Sequence, residues 1–93
     1  MIHELPSGRI IRARVEAVYP TIEAGSVTLI LSDGPYGLRL AEWDKVNDLA
    51  AFYRPHIAEW SRISAPSASV YLWGTAEGWA EIHPEMKRGG WTF

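Results

Sequence analysis

One six-residue run constrains this chain more than any other feature. Val27-Thr28-Leu29-Ile30-Leu31-Ser32 is almost continuously apolar and leads straight into Asp33-Gly34-Pro35-Tyr36-Gly37. An apolar stretch of that length, without polar alternation, has the pattern of a strand buried on both faces, as in a parallel sheet. Parallel strands cannot be joined by a tight turn and need a crossover, usually a helix. The run therefore commits the chain to an α/β arrangement.

The rest of the sequence supplies the crossover elements. Val46, Leu49, Tyr53, Ile57 and Trp60 recur at spacings of three and four, which is one face of a helix. Asp44 is the expected cap at its start. Pro55 is expected to kink or split it, and Pro66-Ser67 to end the helical region. Ser69-Val70-Tyr71-Leu72-Trp73 reads as a second buried strand closed by Gly74. Thr75 is placed to cap a further helix carrying Trp79, Ile82 and Met86, with a break at Pro84 and an end at Gly89-Gly90. Trp91-Thr92-Phe93 reads as the opening of a third strand. Upstream, Arg9 to Val15 reads as a short edge strand, Glu16 to Ile22 as a helical turn checked by Pro20, and Ala24-Gly25-Ser26 as a turn. The expected fold class is α/β: an open sheet of three to four mostly parallel strands with flanking helices and right-handed crossovers.

Length and composition narrow the function classes. At 93 residues the chain is one small domain at most, and its 47% hydrophobic content is too high for a disordered segment. It has no cysteine, which removes disulfides and thiolate metal sites and fits a cytoplasmic setting. The longest apolar run is far short of the ~20 residues of a membrane-spanning helix, and the N-terminus lacks a signal-peptide pattern. The net charge of −2 is unlike that of a free-standing nucleic-acid binder, so any DNA contact is expected through a local patch or another domain.

Ligands of open α/β sheets bind at the carboxyl ends of the strands. Two strand ends here carry distinctive residues: Asp33-Gly34-Pro35-Tyr36 and Trp73-Gly74-Thr75. The first resembles the Asp-Pro-Pro-Tyr signature of DNA methyltransferases that act on the exocyclic amino groups of adenine or cytosine. The flanking turn Ala24-Gly25-Ser26, the pair Trp43-Asp44 and the Leu72-Trp73-Gly74 strand end are similar to features of the same enzymes. Tyr53-Arg54-Pro55-His56-Ile57, Gly78-Trp79 and His83-Pro84 resemble one bacterial and phage-associated branch. The likeness runs from about Ile10 to Phe93. It implies a partial Rossmann-like methyltransferase sheet, with residues 1–93 as the catalytic-motif part of a single domain.

The chemistry accounts for the residue types. An exocyclic amine is a poor nucleophile because its lone pair is delocalised into the base. Two acceptors that bind its protons localise that pair toward the incoming methyl group. By resemblance, the Asp33 carboxylate is one acceptor and the Gly34 backbone carbonyl the other. Pro35 stiffens the turn, and Tyr36 stacks on an adenine or cytosine flipped out of DNA. Asp33, Tyr36 and Trp73 are the residues expected beside S-adenosylmethionine. Gly34 stands where the family has its first proline, and the family's glycine-rich Phe-x-Gly-x-Gly cofactor motif is absent. The resemblance therefore implies an N-terminal portion that works with a C-terminal cofactor-binding segment, in the cytoplasm of a bacterial or phage-infected cell.

Plainer readings stand beside these. Asp, Gly and Pro are also the commonest residues of an ordinary β-turn. Trp60, Trp79 and Trp91 are expected to fill the core, while Trp73 divides evenly between core and site. His3, His56 and His83 lack metal-ligand spacing and are expected at the surface or in packing. Arg9, Arg12 and Arg14 are expected on a solvated strand edge. Ser32 has no arrangement of a nucleophile around it. The alternative to an enzyme portion is a non-catalytic remnant that folds and associates into a homodimer.

Overall fold

The computed structural model describes residues 1–37 and 47–93, so Trp43, Asp44 and Val46 lie outside the described residues. The chain opens with a hairpin. β1 (Ile2–Leu5) and β2 (Gly8–Ile11) pair antiparallel, with Glu4 opposite Arg9 and their side chains 3.5 Å apart. The sequence reading placed a longer strand from Arg9 to Val15. The chain instead leaves the ladder at Ile11 and turns into a one-turn helix α1 (Val15–Val18), followed by a 3-10 turn at Tyr19–Thr21 with Pro20 in its first positions. Proline is tolerated there because the first N–H groups of a helix have no internal partner.

After a turn in which Gly25 takes φ +70°, β3 (Val27–Ser32) leads to helix α2 (Leu49–Ile63), β4 (Ser64–Leu72) and helix α3 (Ala76–Arg88). β3 and β4 pair in parallel, with Leu29 opposite Ser69, Ile30 opposite Val70, Leu31 opposite Tyr71 and Ser32 opposite Leu72. Among the described residues the fold is thus mixed α/β, built on a two-stranded parallel sheet and a separate two-stranded hairpin.

The core lies where α2, α3 and one sheet face meet. Leu49, Tyr53, Ile57, Trp60 and Ile63 of α2 join Ile82 and Met86 of α3, with Ile30, Val70 and Leu72 packed against them. The other face bears Leu29 and Leu31, 51% and 63% exposed, beside Tyr71 at 59%. The expectation of a strand buried on both faces is therefore corrected: among the described residues one face is covered. An apolar run shows that a strand is suited to burial, but not what covers it.

Both helices run through their prolines, so neither the split expected as one outcome at Pro55 nor the break expected at Pro84 occurs. Pro55 and Pro84 each deprive the carbonyl four residues earlier, on Ala51 and Ala80, of its N–H partner. All four residues are exposed, so water can take up the freed carbonyls while the opposite face stays packed. α2 begins with Asp48 accepting from the Ala51 N–H at 3.0 Å, and α3 with Thr75 accepting from the Gly78 N–H at 3.0 Å. α2 ends at Ile63, so Pro66-Ser67 lie inside β4 and not at a helix end.

Trp91–Phe93 do not form a strand. The Trp91 N–H donates to the Met86 carbonyl and the Gly90 N–H to Lys87, with Gly90 at φ +92°. This double closure ends a helix with a left-handed residue, for which glycine is suited. It turns Trp91 back against the core. Trp60 is buried as expected, whereas Trp79 is half out of the core, stacked against His83 and Phe93 at ring separations of 5.2 Å.

Ion pairs tie the layers together. Glu85, almost fully buried, receives Arg54 through both oxygens (3.0 and 3.2 Å) and Arg88 at 2.6 Å. Those hydrogen bonds, Arg54 first, hold the Glu85 carboxyl below the ordinary glutamate range. Arg62 reaches back from α2 to the carbonyls of Tyr19 and Ile22 at 2.7 and 3.1 Å.

Candidate functional site

The parallel pair brings the two distinctive strand ends together. The Trp73 N–H donates to the Ser32 carbonyl at 3.0 Å, so pairing continues up to the residue before Asp33. Beyond that point the chains separate. Asp33 is exposed, Gly34 and Tyr36 are half-buried, and Pro35 is buried.

Within the tetrapeptide, the Tyr36 hydroxyl donates to Asp33 Oδ1 across three residues. This bond orients the carboxylate and fixes the Tyr36 ring over the turn. A hydrogen bond to an ionised acceptor is among the stronger kinds. From below, the Tyr53 hydroxyl on α2 donates to the Pro35 carbonyl at 3.4 Å.

Two hollows flank the turn. On one side, Pro35, Tyr36, Trp73 and Trp79 border a cavity of about 90 Å³ floored by Leu49 and Ile82. On the other, Asp33, Gly34 and Pro35 border a groove of about 430 Å³, walled by Tyr19, Tyr53 and His56 and with Glu16 at its rim. Asp33 and Tyr36 thus face different hollows and are joined by their hydrogen bond. Trp73 lies beside Tyr36 on the smaller side. The four residues expected to be catalytic are contiguous in space, and Trp73 borders the same cavity as two of them.

The larger groove has a polar seam that sequence reasoning left unassigned. Trp60 Nε1 donates to the Tyr19 hydroxyl at 3.1 Å, and that hydroxyl lies 2.9 Å from His56 Nδ1. The Tyr19 oxygen accepts from Trp60, and the direction of its bond with His56 Nδ1 is set by the imidazole tautomer. His56 Nε2 lies 3.7 Å from Glu16 Oε1. Burial pushes the His56 pKa down, outweighing the raising effect of Glu16, so the contact is one of a neutral imidazole and not an ion pair. Burial likewise pushes the Tyr19 pKa up. No sequence spacing announces this seam, because Tyr19 and His56 are 37 residues apart.

The remaining candidates are placed plainly. His3 is exposed, His83 is half-buried against Trp79 and Phe93, and the exposed Arg9 and Arg14 face Glu4 and Glu16. Among the described residues, no three His, Asp or Glu side chains are grouped so as to hold a metal ion. None of the described helices is long and apolar enough to cross a membrane. No family model matches the chain, and no solved structure matches it.

The fit to S-adenosylmethionine is limited. Asp33, Tyr36 and Trp73 offer a carboxylate and two rings. Yet the cavity between the rings, at about 90 Å³, is well below the roughly 300–1,000 Å³ typical of sites for ligands of that size. Tyr36 and Trp73 border this cavity, whereas Asp33 faces the larger groove, so the three residues do not enclose one site.

Proposed function

We propose that the chain is the base-binding, catalytic-motif portion of a DNA methyltransferase acting on an exocyclic amino group of adenine or cytosine. The observation that carries this reading is the position of Asp33-Gly34-Pro35-Tyr36 at the carboxyl end of a parallel strand, beside the end of its neighbour. Strand ends of this kind are where open α/β sheets bind ligands. In this reading β3 and β4 belong to a Rossmann-like methyltransferase sheet completed by further strands.

Asp33 accepts a hydrogen bond from one amine N–H and takes up that proton as the methyl group is transferred, and the Gly34 carbonyl accepts a hydrogen bond from the other N–H, which stays on the nitrogen. Together they turn the nitrogen lone pair toward the methyl donor. Tyr36 offers its ring face to the flipped base, and its hydroxyl holds the carboxylate in place beforehand. S-adenosylmethionine, when bound, supplies the methyl group as an electrophile. A separate glycine-rich segment holds it, since the cavity beside Tyr36 and Trp73 is too small to enclose it. The cytoplasm, where DNA and this cofactor meet, is the setting that follows.

The test joins the chain to a segment carrying the glycine-rich cofactor motif and measures methyl transfer to DNA. Asp33→Ala is expected to remove transfer at least a hundredfold, with a melting temperature close to the parent's. Transfer that survives the substitution would overturn the role given to Asp33.

A second reading is favoured by the exposed sheet face. Leu29, Leu31 and Tyr71 form an apolar surface suited to association, as expected of a non-catalytic domain that folds and pairs with a second copy. It predicts a stable dimer and no dependence on Asp33.

A further inference from the structure

Gly34 occupies the place of a proline in the resembling signature, and the structure identifies what fills the space. A Cβ on Gly34 would lie 2.1 Å from the Tyr53 hydroxyl oxygen and 3.1 Å from Tyr53 Cζ. No carbon approaches an oxygen that closely, so neither alanine nor proline fits unless Tyr53 moves. Tyr53 has little freedom to move. It is 2% exposed, sits in the middle of a fifteen-residue helix, and contacts the rings of Phe52, His56 and Trp60 at 5.2 to 6.3 Å. The same hydroxyl donates to the Pro35 carbonyl. At 3.4 Å this bond is long, so the contact works as much by filling space as by hydrogen bonding.

We propose that Tyr53 is the positioning residue of the Asp33–Tyr36 turn, its hydroxyl seated in the space that Gly34 leaves open and holding the backbone there. A ring at position 34 would stiffen the turn from within by fixing φ. Here the stiffening comes from α2, through a buried hydroxyl wedged against Gly34 and bonded to the next carbonyl. The backbone held this way carries the acceptor carbonyl assigned to the substrate amine, and in that respect the proposal rests on the methyltransferase reading. The pairing of glycine at 34 with tyrosine at 53 does not. It requires that a side chain at 34 be tolerated only where the Tyr53 hydroxyl is gone.

The experiment is a double-mutant cycle on the purified 93-residue chain with Gly34→Ala, Tyr53→Phe and the pair. Folding equilibrium is followed by denaturant titration, and the Gly34 carbonyl and Asp33 carboxyl carbons by nuclear magnetic resonance. Overpacking by Gly34→Ala is expected to lower the folding constant about ten- to hundredfold with Tyr53 present. In the Tyr53→Phe background the same change is expected to cost less than about threefold, because the remaining ring carbon needs to yield only slightly. Should Gly34→Ala alone fail to fold, recovery of folding in the double variant carries the same meaning. Tyr53→Phe by itself should shift both carbon resonances, whereas Ile57→Val, equally buried on the same helix, should lower stability and leave them in place. An additive cycle, or resonances unmoved by Tyr53→Phe, overturns the proposal. Addition of 2′-deoxyadenosine or 2′-deoxycytidine separates the two claims. A coupled cycle in a chain that binds neither nucleoside sustains the positioning role and counts against the methyltransferase reading.

Discussion

At the scale of single residues, the fold depends on side chains whose polar atoms are used up internally. Trp60 donates to the Tyr19 hydroxyl, which pairs with His56 Nδ1, and burial of this seam disfavours the charged imidazole. The folded-state pKa lies below the ordinary value of 6.5, so the unfolded chain takes up the proton first as the pH falls. Stability from this group is complete above about pH 6.5, declines as the pH drops below it, and levels off once the folded form also protonates. Denaturant titration between pH 7.5 and about pH 5 is expected to show this decline in the parent chain and a flatter profile in His56→Asn. Identical profiles would remove His56 as its source. The sequence did not show this role. Histidine at position 56 was read as surface or packing, and only the packing half was right, because a partner 37 residues away leaves no local pattern. Asp33, Gly34, Pro35 and Tyr36 were legible as a cluster, since four adjacent residues stay together in any fold.

At the scale of elements, hydrophobic period outweighed the local breakers. The bounds of β3 were readable because a short apolar run between Gly25 and Asp33 allows little else. The Thr75 cap was readable from its place before an amphipathic stretch, and its hydrogen bond to the Gly78 N–H bears that out. Pro55 and Pro84 do not divide their helices because the cost of a proline depends on which side of the helix it occupies, and both fall on the water side. Pro66 likewise lies exposed within β4, where its missing N–H is tolerated. The β1–β2 hairpin escaped notice because its two four-residue strands carry no alternation toward a core and are exposed almost throughout. Both caps should matter energetically. Asp48→Ala and Thr75→Ala are each expected to cost about 1 kcal/mol of stability, measured by urea unfolding, with little change in the slope. A loss well below 0.5 kcal/mol in both would mean that tertiary packing alone defines the helix starts.

At the scale of the whole molecule, the dominant feature among the described residues is a sheet covered on one side. Leu29, Leu31 and Tyr71 project from the face opposite the core, and Trp73 is likewise exposed at the strand end. Such a surface favours association at micromolar to millimolar concentrations. Sedimentation of the parent chain is expected to show concentration-dependent dimers, and Leu31→Lys with Tyr71→Lys to shift the population toward monomer. A parent chain that stays monomeric would contradict this. The parallel β3–α2–β4 unit was legible from the sequence, whereas the covering of its second face was not, because burial of that face depends on atoms beyond the unit itself. The turn at the end of β3 is where the proposed chemistry resides. Its most direct test is methyl transfer to DNA by the chain joined to a glycine-rich cofactor segment, compared between Asp33 and Asp33→Ala. Labelled methyl groups are expected on adenine or cytosine amino nitrogens with Asp33 present and none above background without it. Equal labelling by both proteins would contradict the role given to Asp33.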